Sequence, residues 1–425
     1  MARPDLPVSL LLRVVPDLAE LAVLRRAILA ASSADERRAW AGSASYATYE
    51  QRVLSLGEMS AAIRNSYRES VQRTRRIHRT LRRAMAAIAL DDGERAIRDV
   101  IALAVAAEEQ DHWQDAVAFY ELALTLCDII DADPALRVLA KRSAGRARLR
   151  AGDLATAEAH YRGALEVARL HDLPEHVVIA LTGLGNLASL QGRWQDAEQL
   201  YRSGLEEAGE AFPTLRGQLW INLSMTAREQ GKLDDAAAAL AHAREVWDDL
   251  STADRAVWFN NQGLLHLHAG RLEAAETAFA DALEQAPGQF DVAMIYENLA
   301  EVCTRRGQWQ RAEAYARSSE EYALSVGSDR ALAEAYLRLA CLHRQRNDAG
   351  AIGFFEQAVA VARRGPFPLV QARAHLEYAR YRHELRDDAD ARHHYSEAIR
   401  LFTELGVSDA ARNAADELQA LAASP

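Results

Sequence analysis

The sequence predicts an all-α solenoid of about eight helix pairs, and two observations support this fold class. The first is an internal repeat, because a segment like GRWQDAEQLYRSGL, at residues 192–205, occurs eight times. Its anchoring alanine returns every 37 to 41 residues, at Ala116, Ala157, Ala197, Ala236, Ala275, Ala312, Ala351 and Ala391. The second is composition: 49% hydrophobic and 26% charged residues, with few glycines and prolines, suit a helical protein.

Each repeat is predicted to be a helix, a tight turn and a second helix. On the second helix, Ala197, Tyr201 and Gly204 are spaced i, i+4 and i+7, so they share one face. Twelve residues before the anchoring alanine lies another small residue: Gly145, Gly185, Ser224, Gly263 or Ala300. Small residues let the two antiparallel helices approach closely. The turn is usually a glycine, which takes positive φ at little cost, but Arg346 and Arg386 stand at that place in repeats seven and eight.

These features resemble the tetratricopeptide repeat family, whose motif runs aromatic, Leu-Gly, turn, Ala, aromatic, Ala and sometimes Pro. Repeat five carries it on Phe259, Gly263, Gly270, Ala275, Phe279, Ala282 and Pro287. The resemblance covers about residues 97–405 and departs from the family in period, since about 39–40 residues replace the usual 34. It implies a right-handed superhelix in which the first helices of the repeats line a concave groove.

The chain is predicted to have three segments: an N-terminal helical region at 1–95, eight repeats at 96–405 and a capping helix at 406–425. The first segment contains a long amphipathic helix with a basic stripe from Arg64 to Arg83. The possible contact face consists of Arg68, Arg75, Arg76, Arg79 and Arg83. This face either meets an acidic partner, nucleic acid or an anionic membrane, or is solvated or paired inside the protein.

Charge and motifs exclude several classes of function. Residues 1–100 hold 17 Arg and 12 Asp or Glu, which gives +5, so the net charge of −11 leaves −16 for the rest. An acidic array argues against nucleic-acid binding. The sequence has no zinc helix, phosphate-binding loop or nucleophile motif, and its three cysteines lack metal spacing. We therefore expect no catalysis, metal, cofactor or membrane span, and a cytoplasmic location of bacterial type.

Four asparagines are candidates for binding a peptide in the groove. Asn186 follows the small residue of its first helix, whereas Asn222, Asn261 and Asn298 precede it by two positions. These positions are three apart and share a helical face. An amide supplies donors and acceptors for a peptide backbone, and the family resemblance implies this role. The alternative is that the amides solvate the groove wall or bond to a neighbouring helix.

Five arginines form a second candidate set. Arg142, Arg146 and Arg150 are spaced i, i+4 and i+8, and Arg228 and Arg305 extend the row. A guanidinium group suits carboxylates, so this row predicts a partner with an acidic segment or a C-terminus. The alternative is a wall of salt bridges between repeats.

Together these patterns predict a non-enzymatic scaffold or adaptor that binds a protein or peptide in the groove. The alternative function is a peptide-sensing regulator. Its architecture would be similar to the Rap family, in which an N-terminal helical bundle precedes repeats of about this length, and the N-terminal helices would contact a target protein.

Overall fold

The computed structural model describes residues 93–108, 113–285, 291–326, 328–364 and 367–423. In these ranges the chain forms seventeen α-helices and one short 3₁₀ turn, and no strand. The all-α prediction is therefore confirmed for the part of the chain described. The predicted helices before residue 93, with the Arg64–Arg83 stripe, lie outside it.

The helices are numbered here in chain order. Their bounds are α1 Gly93–Glu108, α2 Trp113–Ile130, α3 Pro134–Arg150, α4 Leu154–Leu170, α5 Pro174–Leu190, α6 Trp194–Ala208, α7 Pro213–Glu229, α8 Leu233–Arg244, α9 Thr252–His268, α10 Leu272–Gln285, α11 Asp291–Arg305, α12 Trp309–Val326, α13 Asp329–Gln345, α14 Ala351–Arg364, α15 Pro368–Glu384, α16 Asp388–Glu404 and α17 Ser408–Ala423. Each odd-numbered helix up to α15 opens a repeat and the next helix closes it, which gives the eight predicted pairs.

The chain divides into two compact units, residues 1–147 and 148–425, with the boundary inside α3. In the second unit each helix packs against the next one, and first helices of neighbouring repeats also touch, as α5 touches α7 and α13 touches α15. The last helix, α17, packs against α16 and buries Ala414 and Leu421. It thus covers the apolar face of the last repeat, as a terminal cap must.

The predicted small residues lie where aromatic rings cross the facing helix. A Cβ atom built on Gly185 would lie 2.4 Å from Cε1 of Tyr201, and one on Gly263 would lie 2.5 Å from Cε1 of Phe279. Even an alanine would force the ring away at these positions. The repeated Gly and aromatic positions therefore set the spacing between the helices of a pair.

The turns between paired helices use a left-handed residue in every repeat of the second unit. Gly192 has φ 74° and Gly231 has φ 74°, as the sequence predicts. In the last two repeats Asn347, with φ 54°, and Arg386, with φ 62°, adopt the same conformation. The turn thus persists without glycine, and in repeat seven it lies one residue after the expected Arg346.

The second unit also returns on itself. Leu154, Leu187 and Leu405 form one buried cluster, although they come from the second, third and eighth repeats. The side chains packed around it are Leu149, Leu190, Leu369 and Val407. Around the same contact, a Cβ on Gly152 would lie 2.5 Å from Cγ of Pro368. We call the Leu154, Leu187 and Leu405 cluster the seam, and the repeat pattern alone does not predict it.

Candidate functional site

Two adjoining cavities lie on the inner side of the second unit. The seam cavity, of about 540 Å³, is bordered by α3, α5 and α7 on one side and by α13 and α15 on the other. The inner cavity, of about 630 Å³, is bordered by α11, α13 and α15. Glu334 and Arg373 line both cavities, so the two adjoin at this ion pair. Their volumes lie in the range of about 300–1,000 Å³ that is typical of ligand sites.

The seam cavity combines amide and apolar side chains. Asn186 and Asn222, two of the four asparagines that the sequence analysis singles out, lie on its wall. The hydroxyl of Tyr201 donates to Oδ1 of Asn186 at 2.7 Å, which fixes the amide and keeps its N–H groups as donors for a ligand. The apolar part of the wall includes Leu149, Leu190, Trp194, Met225, Phe367 and Leu369. The cavity thus offers apolar contact beside a fixed amide.

The other two predicted asparagines bond to the protein itself. Asn261 is only 3% exposed, and its Nδ2 donates to the carbonyl of Val257 at 3.0 Å in the same helix. Nδ2 of Asn298 donates to Oδ1 of Asn260 at 2.8 Å, which joins α11 to α9. The alternative interpretation, that an amide at this position bonds a neighbouring helix, describes Asn298. The predicted row of four therefore separates into a cavity pair, Asn186 and Asn222, and an internal pair.

Most of the predicted arginine row is engaged in ion pairs. Arg142 and Arg146 lie in the first unit. Nη2 of Arg146 is 2.7 Å from Oε2 of Glu108. The other pairs lie in the second unit. Arg228 pairs with Glu229 at 2.8 Å, and burial lowers the pKa of Arg228. Arg305 pairs with Glu301 at 2.8 Å and donates to the carbonyl of Leu267 at 3.1 Å. Arg150 lines the seam cavity. Only the Arg146–Glu108 pair joins two repeats, as a wall of salt bridges between repeats requires, whereas the Arg228–Glu229 and Arg305–Glu301 pairs each lie within one helix.

The inner cavity has charged walls that the sequence pattern did not single out. Arg338 pairs with Glu301 at 2.8 Å, and Arg373 pairs with Glu334 at 2.9 Å. Arg344 pairs with Glu377 at 2.9 Å and with Glu384. The position in the repeat could have identified two of these residues. Ala340 and Ala379 precede the left-handed turn residue of their repeats by seven positions, as Gly185 precedes Gly192, so they are the small residues of the first helices. Arg338 and Glu377 lie two positions before these alanines, which is the place that Asn222 occupies in its repeat.

Glu297 is the acidic group of this wall whose protonation is most perturbed. Burial and the neighbouring carboxylate of Glu334 together raise its pKa to about 7, against the lowering effect of Arg338 and Arg373. Oγ of Ser319 donates to its carboxylate at 3.3 Å. The group thus titrates near neutral pH, where its charge depends on what lies beside it.

The described residues offer no metal centre, since no group of three or more His, Cys, Asp or Glu side chains among them could hold an ion. Burial raises the pKa of the Cys127 and Cys341 thiols to about 11, so both stay protonated at neutral pH. Within the same residues, no helix has the length and apolar character needed to span a membrane.

Comparison with known proteins supports the repeat assignment. A family model described as tetratricopeptide repeat matches residues 137–206, 215–287 and 291–364, which together make up half of the chain. No curated protein sequence matches.

Many solved structures are similar to the chain, and three of them are described here. A Rap protein complexed with Competence and Sporulation Factor shares 13% identity at a TM-score of 0.54, over 91% of this chain and 98% of that one. The apo form of the quorum sensor NprR from B. thuringiensis shares 13% identity at 0.44, over 74% and 98%. BtubC (BKLC) from P. vanneervenii shares 22% at 0.39, over 52% and 93%. Only the first value exceeds 0.5, and it supports the fold.

Proposed function

This chain belongs to the tetratricopeptide repeat family, and from that premise we propose that it is a non-enzymatic scaffold or adaptor that binds a protein or peptide. One observation carries the proposal: Asn186 and Asn222 share a cavity of about 540 Å³ with a set of apolar side chains. An extended peptide needs partners for its N–H and C=O groups and a place for its apolar side chains. This cavity supplies both.

The chemistry of the partner is a further part of the proposal. Arg150 lies on the same wall as the two amides, and it is the member of the predicted arginine row placed to meet an acidic segment or a C-terminus there. Arg146, Arg228 and Arg305 do not line this cavity, and each pairs with a carboxylate of the protein. We therefore place the acidic contact at Arg150, because of its position on the cavity wall beside the two amides.

The proposed setting is a bacterial cytoplasm, and the charge of the repeats argues against nucleic acid as their partner. Cys127, Cys303 and Cys341 are free thiols, which suits a reducing compartment. Residues 101–425 carry a net charge of −16, the difference between −11 for the chain and +5 for residues 1–100, so phosphate would be repelled.

A peptide-sensing regulator is the second candidate, and the seam favours it. The seam brings the second, third and eighth repeats together beside the cavity, so a ligand there contacts repeats that are distant in sequence. Binding can then change their relative position. The fold match to a Rap protein complexed with Competence and Sporulation Factor is compatible with such a mechanism. In this version the N-terminal helices of residues 1–95 would contact the target protein.

The test is to capture partners of the tagged full chain from source cells and to repeat the capture with an Asn186→Ala, Asn222→Ala variant. We expect at least about a tenfold loss of the captured partner, because truncating a hot spot costs about 2 kcal/mol or more. The matched control is Asn413→Ala on the exposed face of α17, which should retain it. Equal capture by both variants would refute the assignment of the cavity. For the regulator, a bound peptide should also change the small-angle scattering profile.

A further inference from the structure

The charged side chains on the wall of the inner cavity differ in whether the protein supplies an oppositely charged partner. Each of the three arginines on its wall contacts at least one carboxylate of the protein: Arg338 with Glu301 at 2.8 Å, Arg373 with Glu334 at 2.9 Å, and Arg344 with Glu377 at 2.9 Å. Arg344 also pairs with Glu384. The positive charges of this wall are therefore neutralised by the protein.

Glu297 differs from the other carboxylates of the wall. It accepts a hydrogen bond from Ser319 at 3.3 Å, but no basic side chain of the described residues lies within 4.0 Å of its carboxylate. The charged groups that face it are Glu334 and Arg338 on α13 and Arg373 on α15, and both arginines are engaged with other carboxylates. Burial and the charge of Glu334 raise the pKa of Glu297 to about 7, because the Ser319 hydrogen bond and the two arginine charges offset the lost hydration only in part.

We propose that the inner cavity binds a cationic group of a peptide ligand, a guanidinium or an ammonium, through the carboxylate of Glu297. The inference rests on the proposed function, since it names the chemistry that a peptide must carry beyond the seam cavity. A cation beside Glu297 would supply the missing counter-charge, and the Ser319 hydroxyl holds the carboxylate in place. An anionic ligand would instead have to displace Glu301, Glu334 or Glu377 from its arginine.

The adjoining seam cavity places this contact within reach of the same ligand. Glu334 and Arg373 line both cavities, so in this proposal a chain held at Asn186 and Asn222 extends past that ion pair toward Glu297. The ligand is then a segment with an apolar part in the seam cavity and a cationic group in the inner cavity. An arginine side chain, a lysine side chain and an amino-terminal ammonium share this chemistry.

The experiment titrates the full chain with four synthetic probes and follows binding by NMR. Acetyl-Ala-Arg-Ala-amide, acetyl-Ala-Lys-Ala-amide and Ala-Ala-Ala-amide with a free amine carry the three cations, and acetyl-Ala-citrulline-Ala-amide is the neutral isostere of the first. We expect at least one cationic probe to bind at least about tenfold more tightly than the citrulline probe. The rank of the three cations identifies the source of the charge.

Variants and pH assign the preference to Glu297. Glu297→Gln should abolish it, whereas the matched control Glu404→Gln, an exposed charge on α16, should retain it. In the unmodified chain the preference should grow from pH 6 to pH 8 as Glu297 loses its proton, a readout that does not depend on the folding of a variant. Equal binding of all four probes, no binding up to about 10 mM, or a preference retained by Glu297→Gln would each overturn the proposal.

The two proposals fail separately. Loss of the captured partner in the Asn186→Ala, Asn222→Ala variant without any cation preference would leave the proposed function standing and remove the Glu297 site. A cation preference that depends on Glu297, with capture unaffected by the asparagine changes, would support the Glu297 site and remove the assignment of the partner to Asn186 and Asn222.

Discussion

Replacing Leu405 by alanine should weaken the second unit through loss of the seam. Leu405 lies directly after α16, is 6% exposed and packs in one cluster with Leu154 and Leu187. Burying a leucine side chain contributes about 1.5–3 kcal/mol, and its truncation to alanine costs about 2–5 kcal/mol once the cavity left behind is included. Because the seam lies at an edge where neighbours can relax, we expect a loss of about 2–3 kcal/mol in the free energy of unfolding.

The matched control is Leu385, which occupies the same position after α15 but is 49% exposed. Its truncation should cost less than about 1 kcal/mol, because surface changes have small effects. A double-mutant cycle then separates the seam from the local packing of Leu405. Leu154→Ala and Leu405→Ala should be coupled by at least about 0.5 kcal/mol if the two side chains share a cluster.

Urea unfolding followed by circular dichroism and by tryptophan fluorescence measures these differences, since Trp194 lines the seam cavity. The two probes also reveal whether the transition is cooperative, which a repeat array does not guarantee. Small-angle scattering on the folded variants reports whether the second unit opens. Equal losses for Leu405→Ala and Leu385→Ala, together with strict additivity with Leu154→Ala, would refute the closed arrangement.

Four further substitutions test other features of the structure. Glu297→Gln should remove one component of the pH dependence of stability. In the unmodified chain the folded-state pKa of Glu297 is raised to about 7, so the native state keeps a proton that the unfolded chain loses from about pH 4.5 upward, and the free energy of unfolding falls by up to about 3 kcal/mol as pH rises through this window. Unfolding curves measured at several pH values should lack this component in the variant. Gly185→Ala should lower the free energy of unfolding by about 1–3 kcal/mol, because the new methyl group meets the Tyr201 ring, and denaturant titration would contradict this if stability were unchanged. Arg386→Gly should stabilise by about 0.5–1 kcal/mol, since relief of the positive φ exceeds the added entropy of the unfolded chain, and a lower melting temperature would count against it. Gly353→Ala, inside α14 with nothing within 4 Å of the new Cβ, should also stabilise by about 0.5–1 kcal/mol in the same melting assay, and a loss would show an unseen contact.

The fold was predictable because its determinants are local and repeated. The alanine, aromatic and glycine positions lie within about 20 residues of one another in each repeat, and they fix both the helix pair and its turn. The same signal predicted the number of pairs, and the final helix followed from its Ala-rich amphipathic sequence. Only the turns of the last two repeats differ, where Asn347 and Arg386 adopt a conformation that the pattern reserves for glycine.

The candidate site was predictable only where position in the repeat determines the environment. Asn186 and Asn222 line a cavity, whereas Asn261 is buried, because an amide at that place can bond the carbonyl of Val257 in its own helix. Partner choice for the charged side chains depends on which repeats meet in space. The contacts of Arg344 with Glu377 and Glu384 join successive repeats, and a spacing rule for one face does not identify such partners.

The seam has a consequence for how the array loses structure. In an open solenoid each repeat is supported only by its neighbours, so amide hydrogens of the terminal repeat exchange through local fraying. Here Leu154 and Leu405 share a cluster although 251 positions separate them along the chain, the difference between 405 and 154. Fraying of the eighth repeat then requires that the contact with the second and third repeats is broken as well. The slowest-exchanging amides should accordingly include those of α16, beside the chain's end, and not only those of the central helices.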